Sequence, residues 1–166
     1  VAGHGGFGPI PVMMAGGELW ALWEGGAPAA MDPDTLATIG FKTLRSDLKS
    51  MPFTAHPRIE PDGRIWNLGS AYERMIIWRL AANGALEAAE FIELPRASYI
   101  HDFTATARHL VIVLQPWVFD SPRLPMIDGM AWKPDLGTQI LVIDKDDLSR
   151  RRLYETEPFF FFHTGD

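Results

Sequence analysis

Apolar and polar residues alternate in short runs along most of the chain, and turn-forming residues separate the runs. Alternation with a period of two predicts strands, because successive side chains of a strand point to opposite faces of its sheet. The turn signals include a Gly-Gly pair at 16–17, the sequence PDG at 61–63 and an Asn-Gly pair at 83–84. Asn-Gly between two apolar runs is typical of a tight hairpin. We therefore expect a series of antiparallel hairpins.

The predicted strands are short and regularly spaced. They are residues 12–14, 18–23, 29–31, 36–39, 57–60, 64–68, 75–80, 86–94, 99–104, 110–115, 139–143, 151–155 and 159–162. A single helical turn is expected at 47–51, and residues 120–134, rich in Pro, Gly and Met, predict a long loop. Strands in this pattern predict an all-β domain, and hairpins at blade-like intervals favour a β-propeller over a sandwich. We expect residues 1–166 to form part of such a propeller.

Composition and charge narrow the class of protein. The chain is 47% hydrophobic and 22% charged, which is typical of a soluble globular protein. Its net charge of -6 argues against a nucleic-acid partner, since a phosphate-binding surface needs an excess of Lys and Arg. The chain begins at Val1 and ends four residues after the apolar run 158–162, so we expect an internal segment of a longer protein.

Histidines are the candidate metal ligands. The chain has no cysteine, so a metal site must use His, Asp or Glu. His56, His101 and His163 each lie beside apolar or aromatic residues at the edge of a predicted strand, about one blade apart. Neutral imidazole suits iron, zinc or copper, and the alternative interpretation is hydrogen-bonded core histidines. His4 and His109 are expected to be exposed to solvent.

Five short motifs resemble signatures of the carotenoid cleavage oxygenases, the retinal pigment epithelial membrane protein family, in the family's order and approximate spacing. They are LWALWEGG at 19–26, DPDTL at 32–36, FTAHP at 53–57, HDFTAT at 101–106 and FFFH at 160–163. The resemblance implies a seven-bladed β-propeller with ferrous iron on its axis, held by four histidines. It identifies His56, His101 and His163 with the first three ligands, and places the fourth beyond Asp166.

The resemblance also implies roles for residues around the metal. Family glutamates accept hydrogen bonds from ligand imidazoles, and Glu24 occupies the position of one of them. Such a carboxylate fixes the tautomer and the orientation of the ring. Trp23 and Phe103 are candidates for the lining of an apolar substrate tunnel, with core packing as the alternative for Phe103.

The function that the resemblance implies is oxidative cleavage of a carbon–carbon double bond. A non-haem Fe2+ dioxygenase of this family combines a carotenoid or apocarotenoid with O2 and releases two carbonyl products. Stilbene-cleaving relatives tend to carry Lys at the position of Trp23, which favours an apolar polyene here. Two alternatives stay open: a lignostilbene-type dioxygenase, and a non-catalytic propeller that binds lipid or protein partners.

The segment 117–132 raises the question of membrane contact. Its apolar residues, among them Leu124, Met126 and Ile127, suit an entrance patch through which lipids leave a membrane. A solvated loop and packing between blades are the other interpretations. We expect a cytoplasmic protein whose contact with a membrane, if it has one, is peripheral.

Overall fold

The computed structural model describes residues 11–165, which form three four-stranded antiparallel sheets and one two-stranded hairpin. The first sheet contains β1 (Val12–Ala15), β2 (Glu18–Ala21), β3 (Ala29–Met31) and β4 (Thr38–Phe41). The second sheet contains β5 (Arg58–Ile59), β6 (Ile65–Ala71), β7 (Arg74–Leu80) and β8 (Leu86–Glu93). In both sheets each strand pairs with the next one along the chain, as predicted from the hairpin signals.

The remaining strands form the third sheet and the separate hairpin. In chain order they are β9 (Thr104–Ala105), β10 (His109–Leu114), β11 (Trp117–Phe119), β12 (Met130–Trp132), β13 (Thr138–Asp144) and β14 (Arg151–Thr156). The third sheet has the order β14-β13-β10-β9, and the hairpin β11–β12 is inserted between β10 and β13.

Helical structure in residues 11–165 is limited to three short 3-10 turns. They are Ser46–Leu48, Met126–Gly129 and Pro134–Leu136. The first confirms the single turn predicted near residues 47–51, and the all-β prediction is confirmed. None of these turns, nor any other helix between residues 11 and 165, has the length and apolar character needed to span a membrane.

The second sheet is packed between the other two. Along β7, Met75 and Ile77 belong to the apolar cluster shared with the third sheet, whereas Ile76 and Trp78 belong to the cluster shared with the first sheet. Because successive side chains of a strand alternate in direction, an unbroken apolar run supplies both cores. The sheets therefore stack in chain order, as successive blades of a propeller would. Seven blades are more than residues 11–165 form.

Turn chemistry sets the hairpin joining β7 to β8. Gly84 has a φ of +79°, a conformation that costs glycine little, and the Ala81 N–H donates to the Ala85 carbonyl across the turn.

The turn before β4 differs from the prediction of a strand at 36–39. Leu36 itself has a φ of +58° and lies in the turn, so β4 begins at Thr38.

The predicted strand at 99–104 is wrong over most of its length. Only Thr104–Ala105 pairs with β10, and residues 99–103 form a connection between the second and third sheets. Side chains partly replace the missing ladder bonds, since the Phe103 N–H donates to its neighbour Asp102. The apolar pattern here reflects burial of Ile100 and Phe103 in the core shared by the second and third sheets.

The predicted final strand at 159–162 is also wrong. The Phe159 N–H donates to Thr138 Oγ1 at 3.1 Å and the Phe161 N–H donates to Gln115 Oε1 at 3.2 Å. These side-chain acceptors lie where a partner strand would offer carbonyls. Phe160 and Phe162 are exposed at 53% and 44% within the described residues.

The long loop predicted at 120–134 is partly ordered structure. It contains the 3-10 turn Met126–Gly129 and strand β12, which pairs antiparallel with β11. The Asp120 and Ser121 N–H groups both donate to the Gly129 carbonyl and close the loop at its base. Its apolar residue Leu124 is 94% exposed.

Candidate metal centre

Three separate segments bring the histidines together. His56 lies between Phe53, which bridges to Trp23, and the start of β5. His101 lies in the connection that leads into β9, and His163 lies in the segment that follows β14. None of the three is within a strand, so packing of the sheets fixes their positions.

The three imidazoles face one small volume. The Nε2 atoms of His56 and His101 are 3.1 Å apart, and those of His101 and His163 are 3.3 Å apart. One ligand nitrogen from each residue lies within 4.8 Å of the others. His56 and His101 are half-buried and His163 is exposed in this chain. Nitrogen lone pairs converging this closely are stabilised by a shared cation, so the donor set fits a divalent metal that accepts imidazole.

The surroundings of His56 favour its neutral imidazole. Burial is the largest effect on His56 and lowers the pKa of its ring, and the neighbouring His101 and His163 lower it further; the carboxylates of Asp102 and Glu24 act in the opposite direction. A metal binds the unprotonated nitrogen, so a lowered pKa leaves the ligand ready at neutral pH.

Glu24 contacts the far side of the His101 ring. Its Oε1 lies against His101 Nδ1, and its Oε2 accepts a hydrogen bond from the Tyr99 hydroxyl at 2.8 Å. The carboxylate places the imidazole proton on Nδ1 and leaves the Nε2 lone pair facing His56 and His163. Burial and the charge of Glu24 raise the pKa of Tyr99, so its phenol stays protonated and keeps donating.

Sequence reasoning missed Tyr99. Its ring stacks on His101 with centroids 6.1 Å apart, and it packs edge-on against Trp117. The signal was present, because Tyr99 and His101 are two residues apart and extended backbone places such side chains on one face.

The segment that carries His56 is fixed by buried polar contacts. Thr54 Oγ1 donates to Asn67 Oδ1 at 2.8 Å, and Asn67 Nδ2 donates back to the Thr54 carbonyl at 2.9 Å. A Cβ at Gly69 would lie 2.0 Å from the Pro52 carbonyl oxygen, so only glycine allows the segment to approach β6 this closely. The second sheet therefore fixes the position of the segment that carries His56.

Trp23 and Phe103 are the two residues predicted to line a substrate tunnel. Trp23 folds its ring over Gly25 and Gly26, and its indole N–H donates to the Ala27 carbonyl at 2.9 Å. Phe103 has no exposed surface and lies in the apolar core shared by the second and third sheets, and its place in a substrate tunnel stays a prediction.

The other two histidines, His4 and His109, were predicted to be exposed to solvent. His109 opens β10 and pairs with Asp144, half-buried where exposure was predicted. The glycine-rich stretch that contains His4 is outside the described residues.

Comparison with known families shows to which family the chain belongs. The family model for retinal pigment epithelial membrane protein matches residues 9–166. The chain belongs to this family. The five motifs that suggested the resemblance thus lie within a match covering nearly the whole chain.

Relatives within the family include oxygenases of animals and bacteria. The chain is 28% identical to a carotenoid isomerooxygenase of Galleria mellonella, with 89% of this chain and 33% of the relative covered. It is 32% identical to an apocarotenoid-15,15'-oxygenase of a Synechocystis strain, with 90% and 34% covered. The chain thus spans about a third of the length of these relatives.

Solved structures give the same family relationship. A cobalt-substituted apocarotenoid oxygenase of Synechocystis matches with a TM-score of 0.78 at 26% identity, covering 93% of this chain and 35% of that one. A lignostilbene dioxygenase of Pseudomonas brassicacearum matches with a TM-score of 0.76 at 30% identity, covering 88% and 32%.

Proposed function

We propose that the protein is a non-haem iron dioxygenase that cleaves a double bond of a carotenoid or apocarotenoid to two carbonyl products. The convergence of three histidine Nε2 atoms in a chain of this family carries the proposal. We further propose that the chain is part of a seven-bladed propeller, with the fourth histidine ligand outside residues 1–166.

Each residue of the centre has a distinct task. His56, His101 and His163 would hold Fe2+ through neutral imidazoles, an all-nitrogen set without the carboxylate of facial-triad iron enzymes. Iron held there would supply the redox chemistry that lets dioxygen react with an alkene. Glu24 orients His101 and holds its Nδ1 proton, and Tyr99 holds the carboxylate of Glu24 in place.

An apolar polyene is the favoured substrate class. Trp23 replaces the Lys that stilbene-cleaving relatives tend to carry, and its N–H already donates to the Ala27 carbonyl. Unlike Lys, this side chain has no ammonium group to offer to a phenol. The likeness to a lignostilbene dioxygenase, with a TM-score of 0.76 at 30% identity, supports stilbene cleavage as the second candidate.

A parallel assay tests the proposal. The full-length protein, loaded with Fe2+, is incubated under 18O2 with an apocarotenoid or a hydroxylated stilbene, and the aldehydes are measured by mass spectrometry. We expect labelled aldehydes from the apocarotenoid and little from the stilbene. Cleavage of the stilbene alone would support the second candidate, and binding of an apocarotenoid without cleavage would support a lipid-binding propeller.

Peripheral membrane contact stays part of this proposal. Leu124 is 94% exposed, and Met126 and Ile127 are each 48% exposed, at the tip of the loop between β11 and β12. Apolar side chains at a loop tip bind the interface of a bilayer through their buried area. Replacing Leu124 by Asp should weaken co-sedimentation of the full-length protein with phospholipid vesicles; unchanged co-sedimentation would count against this contact.

A further inference from the structure

Each candidate ligand has a close chain neighbour in one part-buried hydrogen-bond network. Arg58 follows His56 by two residues, Asp102 follows His101 directly, and Thr164 follows His163 directly. The carboxylate of Asp102 is at the centre of this network, which we call the Asp102 network. It consists of Arg58, Asp102, Phe103 and Thr164.

Both oxygens of the Asp102 carboxylate have two polar contacts. Oδ1 accepts from Arg58 Nη2 at 2.8 Å and from the Phe103 N–H at 2.7 Å. Oδ2 accepts from the Thr164 N–H at 2.8 Å and lies 3.1 Å from the Thr164 hydroxyl. The side chain of Asp102 is only 2% exposed, and a buried carboxylate persists only when it is paired and hydrogen-bonded in this way.

Arg58 and Thr164 also bond to each other and to the backbone. Arg58 Nε donates to the Phe103 carbonyl at 2.6 Å, and Arg58 Nη2 lies 2.8 Å from Thr164 Oγ1. The Thr164 hydroxyl is 3.1 Å from the Phe103 carbonyl as well. These bonds connect the first residue of β5, the connection before β9 and the segment after β14. His56 lies two residues before β5, and His101 and His163 lie in the other two segments.

We propose that Asp102 is a positioning residue of the metal centre, which holds His56, His101 and His163 in one arrangement before a metal binds. This rests on the proposed metal site. A strand ladder fixes none of the three histidines, so connections between their segments must determine how closely their Nε2 atoms approach. Partners that orient ligands from outside the first coordination sphere typically change metal affinity by about 10–100-fold.

The experiment measures metal affinity and stability separately in the full-length protein. The metal-free protein is titrated with Co2+, whose visible absorption reports coordination, and its thermal unfolding midpoint is recorded without metal. Asp102→Asn keeps the size of the side chain but turns an N–H2 group toward its donors. We expect it to lower Co2+ affinity by roughly 10–100-fold and to change the absorption spectrum.

A matched control separates positioning from general stability. Glu60 and Lys145 form another part-buried ion pair between the ends of β5 and β13, and Lys145 also donates to the Thr106 carbonyl. Glu60→Gln should lower the unfolding midpoint while leaving Co2+ affinity and the spectrum unchanged. If it lowers affinity as much as Asp102→Asn, a specific positioning role is refuted.

His101→Ala separates the two proposals. If His101→Ala loses Co2+ while Asp102→Asn binds it with unchanged affinity, the metal site stands and the positioning role is overturned. If His101→Ala binds Co2+ normally, the metal site itself is wrong. Should Asp102→Asn fail to fold, Thr164→Ala, which removes one hydroxyl, decides: lowered affinity that Thr164→Ser restores supports positioning, and unchanged affinity overturns it.

Discussion

Replacing Glu24 by Gln isolates the charge of the carboxylate behind His101. The amide has the size of the carboxyl group, and its carbonyl can accept the Nδ1 proton of His101. Its N–H2 group can then donate to the Tyr99 hydroxyl oxygen, which rotates from donor to acceptor. Both contacts are kept and one negative charge is lost.

The loss of metal affinity expected for Glu24→Gln follows from these contacts. A hydrogen bond to a charged group contributes about 1.5–3 kcal/mol, against about 0.5–1.5 kcal/mol for a neutral one. The difference, about 1–1.5 kcal/mol, corresponds to roughly a tenfold loss of metal affinity. Glu24→Ala removes both acceptors and leaves the Tyr99 hydroxyl and the His101 N–H without them. It should lower metal affinity by up to about 100-fold.

Titration of the metal-free full-length protein with Co2+ measures both losses. Glu18→Gln is the control, since Glu18 lies in the first sheet and pairs with Lys42 rather than with a histidine. We expect the control to bind Co2+ as the unsubstituted protein does. Unchanged affinity in both Glu24 variants would show that the carboxylate does not orient a ligand, and the reasoning from its contact with His101 would fail.

Three further outcomes are expected. His101→Ala should abolish retention of Fe2+, measured by metal analysis after dialysis, whereas His109→Ala should keep it; the opposite pattern would refute the ligand assignment. Phe53→Ala should lower the free energy of unfolding by about 3–5 kcal/mol in urea, because a fully buried ring is removed from between two tryptophans; a loss below about 1 kcal/mol would contradict this. Gly84→Ala should cost about 1–2 kcal/mol, because φ is +79° there, and a neutral result would show that the turn rearranges.

Local turn chemistry made the hairpins predictable. Asn83 and Gly84 specify a tight turn without help from distant residues, and the strands on either side formed as expected. The all-β class followed from the same signals. The number of blades did not, because the described residues form three sheets and closure of a propeller depends on the whole domain.

Segments that depend on distant partners were predicted less well. Residues 99–103 and 159–162 are apolar enough to resemble strands. An apolar run indicates that side chains are buried or in contact, but it does not show that another strand pairs with the backbone. In residues 99–103 Asp102 accepts the N–H of its neighbour Phe103, and in residues 159–162 the distant side chains of Thr138 and Gln115 accept the backbone N–H groups. Sequence spacing alone does not reveal the distant acceptors.

The candidate site was only partly accessible from the sequence. Family motifs selected His56, His101, His163 and Glu24, which the structure brings together, although their metal-binding roles stay predictions. Tyr99 and the Asp102 network were missed, because their roles depend on contacts between segments far apart in the chain.

The histidines lie outside the strands, before and after whole sheets, and this order along the chain has a consequence for synthesis of the protein. His56 precedes the second sheet, and His163 follows the whole of the third. A ribosome must therefore release both sheets before the three imidazoles can meet. Closing so long a loop without packed sheets costs more chain entropy than closing a short one. A metal held by all three imidazoles, as proposed, would thus be bound only late in synthesis of the chain.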